Sequence, residues 1–502
     1  MDSAASILLL LPWLLKLALT LPIEVIFPEP AANETNVVHG DDVFGDILRA
    51  NEGSKVLLRE TDIAVAPGRN AISCKTCLWP KSASGRVYVP YAFDDKYSEG
   101  EKATMREAIK DFGTMTCVEF VPLTAENNYL SIHPGDGCWS FMGVMGGAQG
   151  VSLGGGCLGY RTIQHELMHA LGFWHEQNRS DRNKYIDVFW QYISPDAYIN
   201  YQEMDTNNLG MEYDYLSAMH YETWMFSNTS GKTTMAAKDD PNRRLGGAKE
   251  LTNLDYSKIN RLYECDVVST LLNEDRGTLK SANYPSSYPN NAKEFFLIRT
   301  VSQQVSLKFE AFNIQSSPRC TSDYIKIYDG STKSSPVLLE KSCGMGKHPP
   351  LIASGRAMLL EFISDGSQTA TGFRASYETV ECGGTFTTPS RNITSPNHPK
   401  DYPPSKTCQY IITAPLSYKI SLRLISMDIE RSRQCRRDYL DIYDGDSIDA
   451  PLLGRFCGSL MMCSPRSNGN RMLLRFVTNA NIQGKGFLLR YSWVAPRGSV
   501  LP

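Results

Sequence analysis

The chain has 502 residues, 13 of them Cys, and a formal net charge of −3. That length exceeds what a single hydrophobic core supports, so several domains are expected. Thirteen cysteines suit an oxidising, secreted environment, which excludes nucleic acid as a partner.

Residues 7–21 are almost entirely apolar, with Lys16 as the one charge. A run of about 15 residues is too short to span a bilayer, so 1–20 reads as a signal peptide, although Asp2 stands where a basic residue is usual. No later segment reaches about 18 apolar residues, and no transmembrane anchor is expected. Residues 21–69 carry few aromatics and no Cys and look like a propeptide. Sequons at Asn33, Asn178, Asn228 and Asn392 agree with secretion and predict glycosylation there.

The stretch HELMHALGFWHE occupies 165–176. On a helix, His165 and His169 share one face, so both imidazoles can reach one metal ion. Glu166 follows the first of them, beside the metal's open position. Gly172 can take the left-handed conformation that ends a helix, and the turn brings His175 round as a third ligand. Three nitrogen ligands with a fourth position open define a catalytic rather than a structural zinc site. Three of the 8 His of the chain fall here at ligand spacing, which argues against ordinary helix-face histidines. Some forty residues on, SAMHY at 217–221 places Met219 in a loop that alone would be unremarkable.

Together the two stretches resemble the metzincin zinc peptidases, and within them the astacin family, over about residues 70–268. CVEFVP at 117–122, GCWS at 137–140 and NRSDR at 178–182 extend the likeness. The resemblance implies an α+β metzincin protease domain at 70–268 with one Zn²⁺ per subunit on His165, His169 and His175. It implies Glu166 as general base, Tyr221 as oxyanion ligand and Met219 as the Met-turn under the metal. It gives Glu176 the role of meeting a new N-terminus, created by cleavage between Arg69 and Asn70. Astacin propeptides block the metal with an Asp inside an F-x-G-D motif. Gly45-Asp46, preceded by Val43-Phe44, offers the match, with Val43 in place of the motif's Phe, and Asp46 is expected as the zinc ligand of the zymogen.

The second half repeats itself at a spacing of about 115 residues. NYPSSYP at 283 pairs with NHPKDYP at 397, DYIKIYDG at 323 with DYLDIYDG at 438, and GFRASY at 372 with GFLLRY at 486. Short alternating runs between Gly, Pro, Asn and Ser clusters predict antiparallel sandwiches. The repeats resemble two all-β CUB domains, at 269–380 and 382–495, with a tail at 496–502. Resemblance then implies disulfides Cys117–Cys265 and Cys138–Cys157 in the protease, Cys320–Cys343 in the first CUB, and Cys382–Cys408 and Cys435–Cys457 in the second. Cys74 and Cys77 match an extra pair of the hatching-enzyme branch, which leaves Cys463 unmatched. Some CUB domains hold Ca²⁺ on hard oxygen ligands. The corresponding positions are Tyr288, Gln315, Asp323 and Asp365, then Tyr402, Glu430, Asp438 and Asn479, each set with one carboxylate replaced by an amide.

Residues 382–502 hold 16 Lys and Arg against 8 Asp and Glu, a net +8 that suits acidic glycoprotein partners. The expectation is a secreted zinc endopeptidase made as a zymogen, with CUB modules as tethers. Removing 269–502 is then expected to spare cleavage of short peptides. Tolloid-type relatives add EGF modules and meprins a membrane helix, so this arrangement looks most like an amphibian-type hatching enzyme acting on egg-envelope glycoproteins. The runner-up is a matrix- or growth-factor-processing astacin, and the alternative of another class is a catalytically dead CUB binding protein. The complete motif at 165–176 argues against the last.

Overall fold

The computed structural model describes residues 43–65, 77–301, 303–459 and 464–496. The expected signal peptide, Asn33, the Arg69–Asn70 bond, Cys74 and Cys463 lie outside the described residues.

One mixed sheet frames the first domain. Its strands run in the order Leu58–Arg59, Ile63–Ala64, Cys138–Ser140, Ala148–Leu153, Tyr129–His133, Val87–Phe93 and Val118–Pro122. The first two belong to the segment expected as propeptide, which adds itself to the protease sheet through Ile63 beside Ser140. A short helix of the same segment, α1 (Val43–Asn51), buries Val43, Phe44 and Ile47 and turns Asp46 outward. Helix α2 (Glu99–Met115) opens on a capping box between Ser98 and Glu101. Its buried Met105, Ala108, Ile109 and Phe112 follow the helical period, so one face meets the core.

Helix α3 (Tyr160–Ala170) carries the HExxH stretch and is buried from Arg161 to Ala170. A helix surrounded on all sides needs no polar stripe. Its end is a Schellman turn: Gly172, at φ +99°, donates to the His169 carbonyl at 2.8 Å, and Phe173 to the Met168 carbonyl at 3.1 Å. Helix α4 (Asn253–Leu262) starts on a second capping box, between Thr252 and Asp255.

Two sandwiches follow with one shared topology. In the first, Val268–Leu272, Lys293–Arg299, Ala357–Ile363, Tyr324–Tyr328 and Val337–Ser342 form one sheet, in that order. In the second, Gly383–Phe386, Thr407–Thr413, Arg471–Val477, Tyr439–Tyr443 and Leu452–Phe456 repeat it. The sheets are antiparallel as expected, except that the first strand of each set runs parallel to its neighbour. That strand is not joined to its neighbour by a hairpin, because the chain between them first contributes Arg276–Lys280, or Ser390–Thr394, to the opposite sheet.

Each sandwich has its own apolar core. The first sandwich also lends Leu271, Phe295, Leu297, Tyr328 and Leu359 to the protease core. The contact has a polar centre. Arg299 of the sandwich makes two bonds to Asp111 of α2, at 2.6 and 2.9 Å, and also pairs with Glu250. Tyr160 and Gln164 of α3 donate to the same Asp111, at 2.6 and 3.3 Å.

Candidate metal centre

His165, His169 and His175 converge with Asp62, all fully buried, and their ligand atoms lie within 4.8 Å of one another. His165 Nε2 is 3.1 Å from His169 Nε2 and 3.4 Å from His175 Nε2. The Asp62 carboxylate sits 3.0, 3.4 and 3.3 Å from the Nε2 atoms of His165, His169 and His175. A tetrahedral ion with metal–nitrogen bonds of about 2.0–2.1 Å separates its ligand atoms by roughly 3.3 Å. The set fits zinc with Asp62 in the fourth position.

Asp62, not Asp46, is the carboxylate that joins the three histidines. Asp46 is partly exposed on α1 and pairs with Arg49 at 2.5 Å. Phe44 faces inward, and a residue two positions along a helix points to nearly the opposite side. The stretch that fits the motif by position is Arg59-Glu60-Thr61-Asp62, with Thr61 where the motif has Gly. Thr61 sits at φ +85°, a conformation that glycine takes freely and a β-branched residue adopts only under constraint. The requirement for the motif's Gly thus survives in the backbone while the letter is lost. Other residues that sequence reasoning missed also come from this segment. The Phe44 ring lies edge-on to His165, His175 and Tyr221, with centroids 4.9, 5.1 and 4.6 Å away.

Glu166 is fully buried, and neither of its oxygens accepts a hydrogen bond from the described residues. Burial, with the charge of Asp62, pushes its carboxyl well above the usual range. A bare carboxylate in a dry interior is costly unless something positive or protic is meant to sit beside it.

The loop under the cluster is held from α4. Asp255 accepts from Ser217 Oγ at 2.6 Å and from the Ala218 N–H at 3.0 Å. Met219 is buried, and its carbonyl accepts the Glu176 N–H at 2.8 Å. The hydroxyl of Tyr221, expected as the oxyanion ligand, donates to the Glu60 carbonyl at 2.8 Å, so the upstream segment holds it. Glu176 is buried and already engaged by Lys258 at 2.6 Å, Arg179 at 2.9 Å and the Asp214 N–H at 2.8 Å.

The bridges Cys117–Cys265, Cys138–Cys157, Cys320–Cys343, Cys382–Cys408 and Cys435–Cys457 are formed. Cys77 is also disulfide-bonded. Asn392 and Asn228 are exposed, but Asn178 is fully buried, and its amide donates to the Asn200 and Gln202 carbonyls at 2.9 and 2.7 Å. The sequon at Asn178 is therefore structural and unavailable to a glycan in the folded protein.

At the two positions expected for Ca²⁺, the named side chains hydrogen-bond around one aspartate in each repeat. Tyr288 donates to Asp323 at 2.5 Å and the Asp365 N–H at 2.7 Å; Tyr402 and the Asn479 N–H do the same for Asp438, each at 2.7 Å. In the second repeat the Glu430 oxygens accept from Arg437 at 2.7 Å and from the Asn479 amide at 2.5 Å. That carboxylate is neutralised internally.

Comparison with known proteins places this geometry in a family. The model of the astacin peptidase family matches residues 73–264, and the CUB domain model matches 265–377 and 382–491. The chain is 47% identical to Embryonic protein UVS.2 of Xenopus laevis over 90% of this chain and 88% of that protein. It is 44% identical to an astacin-like metalloendopeptidase of Gallus gallus, over 71% of this chain and 88% of that one. Among solved structures, high choriolytic enzyme 1, a hatching-enzyme zinc protease from Oryzias latipes, is 41% identical, with 39% of this chain and all of that one covered and a TM-score of 0.38. The chain belongs to the astacin family of zinc metalloendopeptidases, with two CUB domains after the protease. Among the described residues, no helix is long and apolar enough to cross a membrane.

Proposed function

We propose that the chain is secreted as a zymogen whose protease, once freed, hydrolyses extracellular glycoproteins, in the first place those of an egg envelope. The observation that carries the zymogen reading is Asp62 in the fourth ligand position, brought there by a segment upstream of Arg69. The envelope reading rests on the protease–CUB–CUB arrangement and on the near full-length similarity to an embryonic protein.

Cleavage at Arg69–Asn70 removes Phe44, Glu60 and Asp62 from the cleft together. Bound zinc supplies a Lewis acid that polarises the scissile carbonyl and acidifies water. Glu166, which has no hydrogen-bond partner among the described residues, takes the attacking water's proton and returns it to the leaving amine. Tyr221, released from the Glu60 carbonyl, is free to donate to the developing oxyanion. The new N-terminus joins Glu176, whose carboxylate already meets Lys258 and Arg179.

The activated enzyme should be offered isolated egg envelopes and, separately, procollagen and growth-factor precursors. Envelope dissolution at enzyme levels that leave the precursors intact is the expected result. Preferred cleavage of the precursors would overturn the envelope reading and favour a processing role.

A further inference from the structure

Each imidazole of the cluster has its outer nitrogen engaged. His165 Nδ1 lies 2.8 Å from the Ala218 carbonyl and His169 Nδ1 2.7 Å from the Phe173 carbonyl. Both acceptors are backbone atoms of the protease domain and remain after activation. His175 differs. Its Nδ1 lies 3.0 Å from Glu60 Oε2, a side chain of the segment that activation removes.

We propose that Glu60 is a positioning residue for the third zinc ligand, so that the propeptide completes the outer shell of the metal as well as blocking it, and the precursor holds zinc more tightly than the mature enzyme. The inference rests on the zymogen reading above.

The local backbone is built for this placement. Glu60 and Thr61 both have positive φ, +52° and +85°, and this bend presents the Glu60 and Asp62 side chains to the same cluster. His175 is thereby held between two carboxylates, Asp62 on Nε2 and Glu60 on Nδ1. Glu60 is fully buried, and its second oxygen comes no nearer a cation than 3.9 Å from Arg59. Its principal polar contact is therefore the ligand imidazole. An acceptor at Nδ1 fixes the tautomer whose Nε2 lone pair faces the metal, and a carboxylate there also makes the imidazole more basic. Loss of such an outer partner commonly lowers metal affinity by about 10–100-fold.

The competing account is that Glu60 only pins the segment in place. The two accounts separate in an uncut Arg69→Ala precursor. Zinc release to a chromogenic chelator should be about tenfold faster in Glu60→Gln, and faster still in Glu60→Met. Latency towards a short peptide should be unchanged in Glu60→Gln, because Asp62 still fills the fourth position. The ligand-field bands of the Co²⁺-substituted precursor should shift in the same variant. Mature enzyme cut from the Glu60→Gln precursor with Arg69 intact should release zinc at the same rate as mature wild type, and both faster than the wild-type precursor. If Glu60→Met fails to fold, Glu60→Gln decides. Release at the wild-type rate with unshifted bands overturns the proposal, and so does latency lost in step with zinc. An Asp62→Ala precursor that stays fully latent would instead bring down the zymogen reading itself.

Discussion

At the residue scale, burial and pairing separate the residues that look alike in sequence. Asp46 and Asp62 are both acids of the same segment, yet one pairs with Arg49 at the surface and the other is buried among three imidazoles. In an uncut Arg69→Ala precursor, Asp62→Ala should therefore release activity on a small peptide, and Asp46→Ala should leave it latent. The reverse pattern, read as rates of peptide hydrolysis, would restore Asp46 to the switch role. The three histidines and Glu166 were legible because metal ligation fixes both residue type and spacing. Asp62 was hidden because the backbone needs a positive φ before it, and that need is met by Thr61 at the expense of strain. Asn178 misled for the opposite reason: the sequon letters are present, but the amide is spent on two backbone carbonyls.

At the scale of elements, the helix–turn that carries the ligands follows directly from its letters. Gly172 stands at the position where α3 must end, and the chain returns there to deliver His175. The docking of the first CUB domain was not legible. Arg299 ends a strand of the repeat and reads as an ordinary surface cation, while Asp111 reads as the polar side of α2. Only the fold brings them together, beneath Tyr160 and Gln164 of the helix that bears the ligands. Asp111 is 1% exposed and Arg299 21%, so removing the cation strands a buried charge. Arg299→Met should lower the stability of the protease by about 3 kcal/mol. Asp111→Asn added to it should recover much of that loss, because the stranded charge is then gone. Denaturant unfolding of the full chain measures both. Additive losses in the double variant would mean that the pair is incidental.

For the whole molecule, this contact changes the expected division of labour. The sequence alone suggested that residues 269–502 could be removed with little effect on short peptides. The shared core of Leu271, Phe295, Leu297, Tyr328 and Leu359 makes the first CUB domain part of the protease's support. Truncation after 381 should therefore keep peptide cleavage and weaken envelope digestion, whereas truncation after 268 should impair both. Assays on a short peptide and on isolated envelopes distinguish the two; equal peptide rates for both truncations would return the first CUB domain to a mere tether. The net charge of +8 in 382–502 puts any charge-driven tethering in the second CUB domain. Envelope binding through it should fall with salt, as the screening length shrinks from about 10 Å at 0.1 M to about 3 Å at 1 M. The repeat architecture was readable because each domain restates its turn letters, while the parallel first strand of each sheet was not, since strand direction is set by the crossover rather than by side-chain alternation. The central claim is that this chain hydrolyses protein through a zinc ion on His165, His169 and His175 with Glu166 as base. The most direct test pairs metal analysis with casein digestion for the activated wild type, Glu166→Gln and His169→Ala. The account predicts full zinc and rates lowered at least about 10²–10⁴-fold in Glu166→Gln, and depleted zinc in His169→Ala. Zinc lost with Glu166 but retained without His169, or digestion that survives Glu166→Gln, would contradict it.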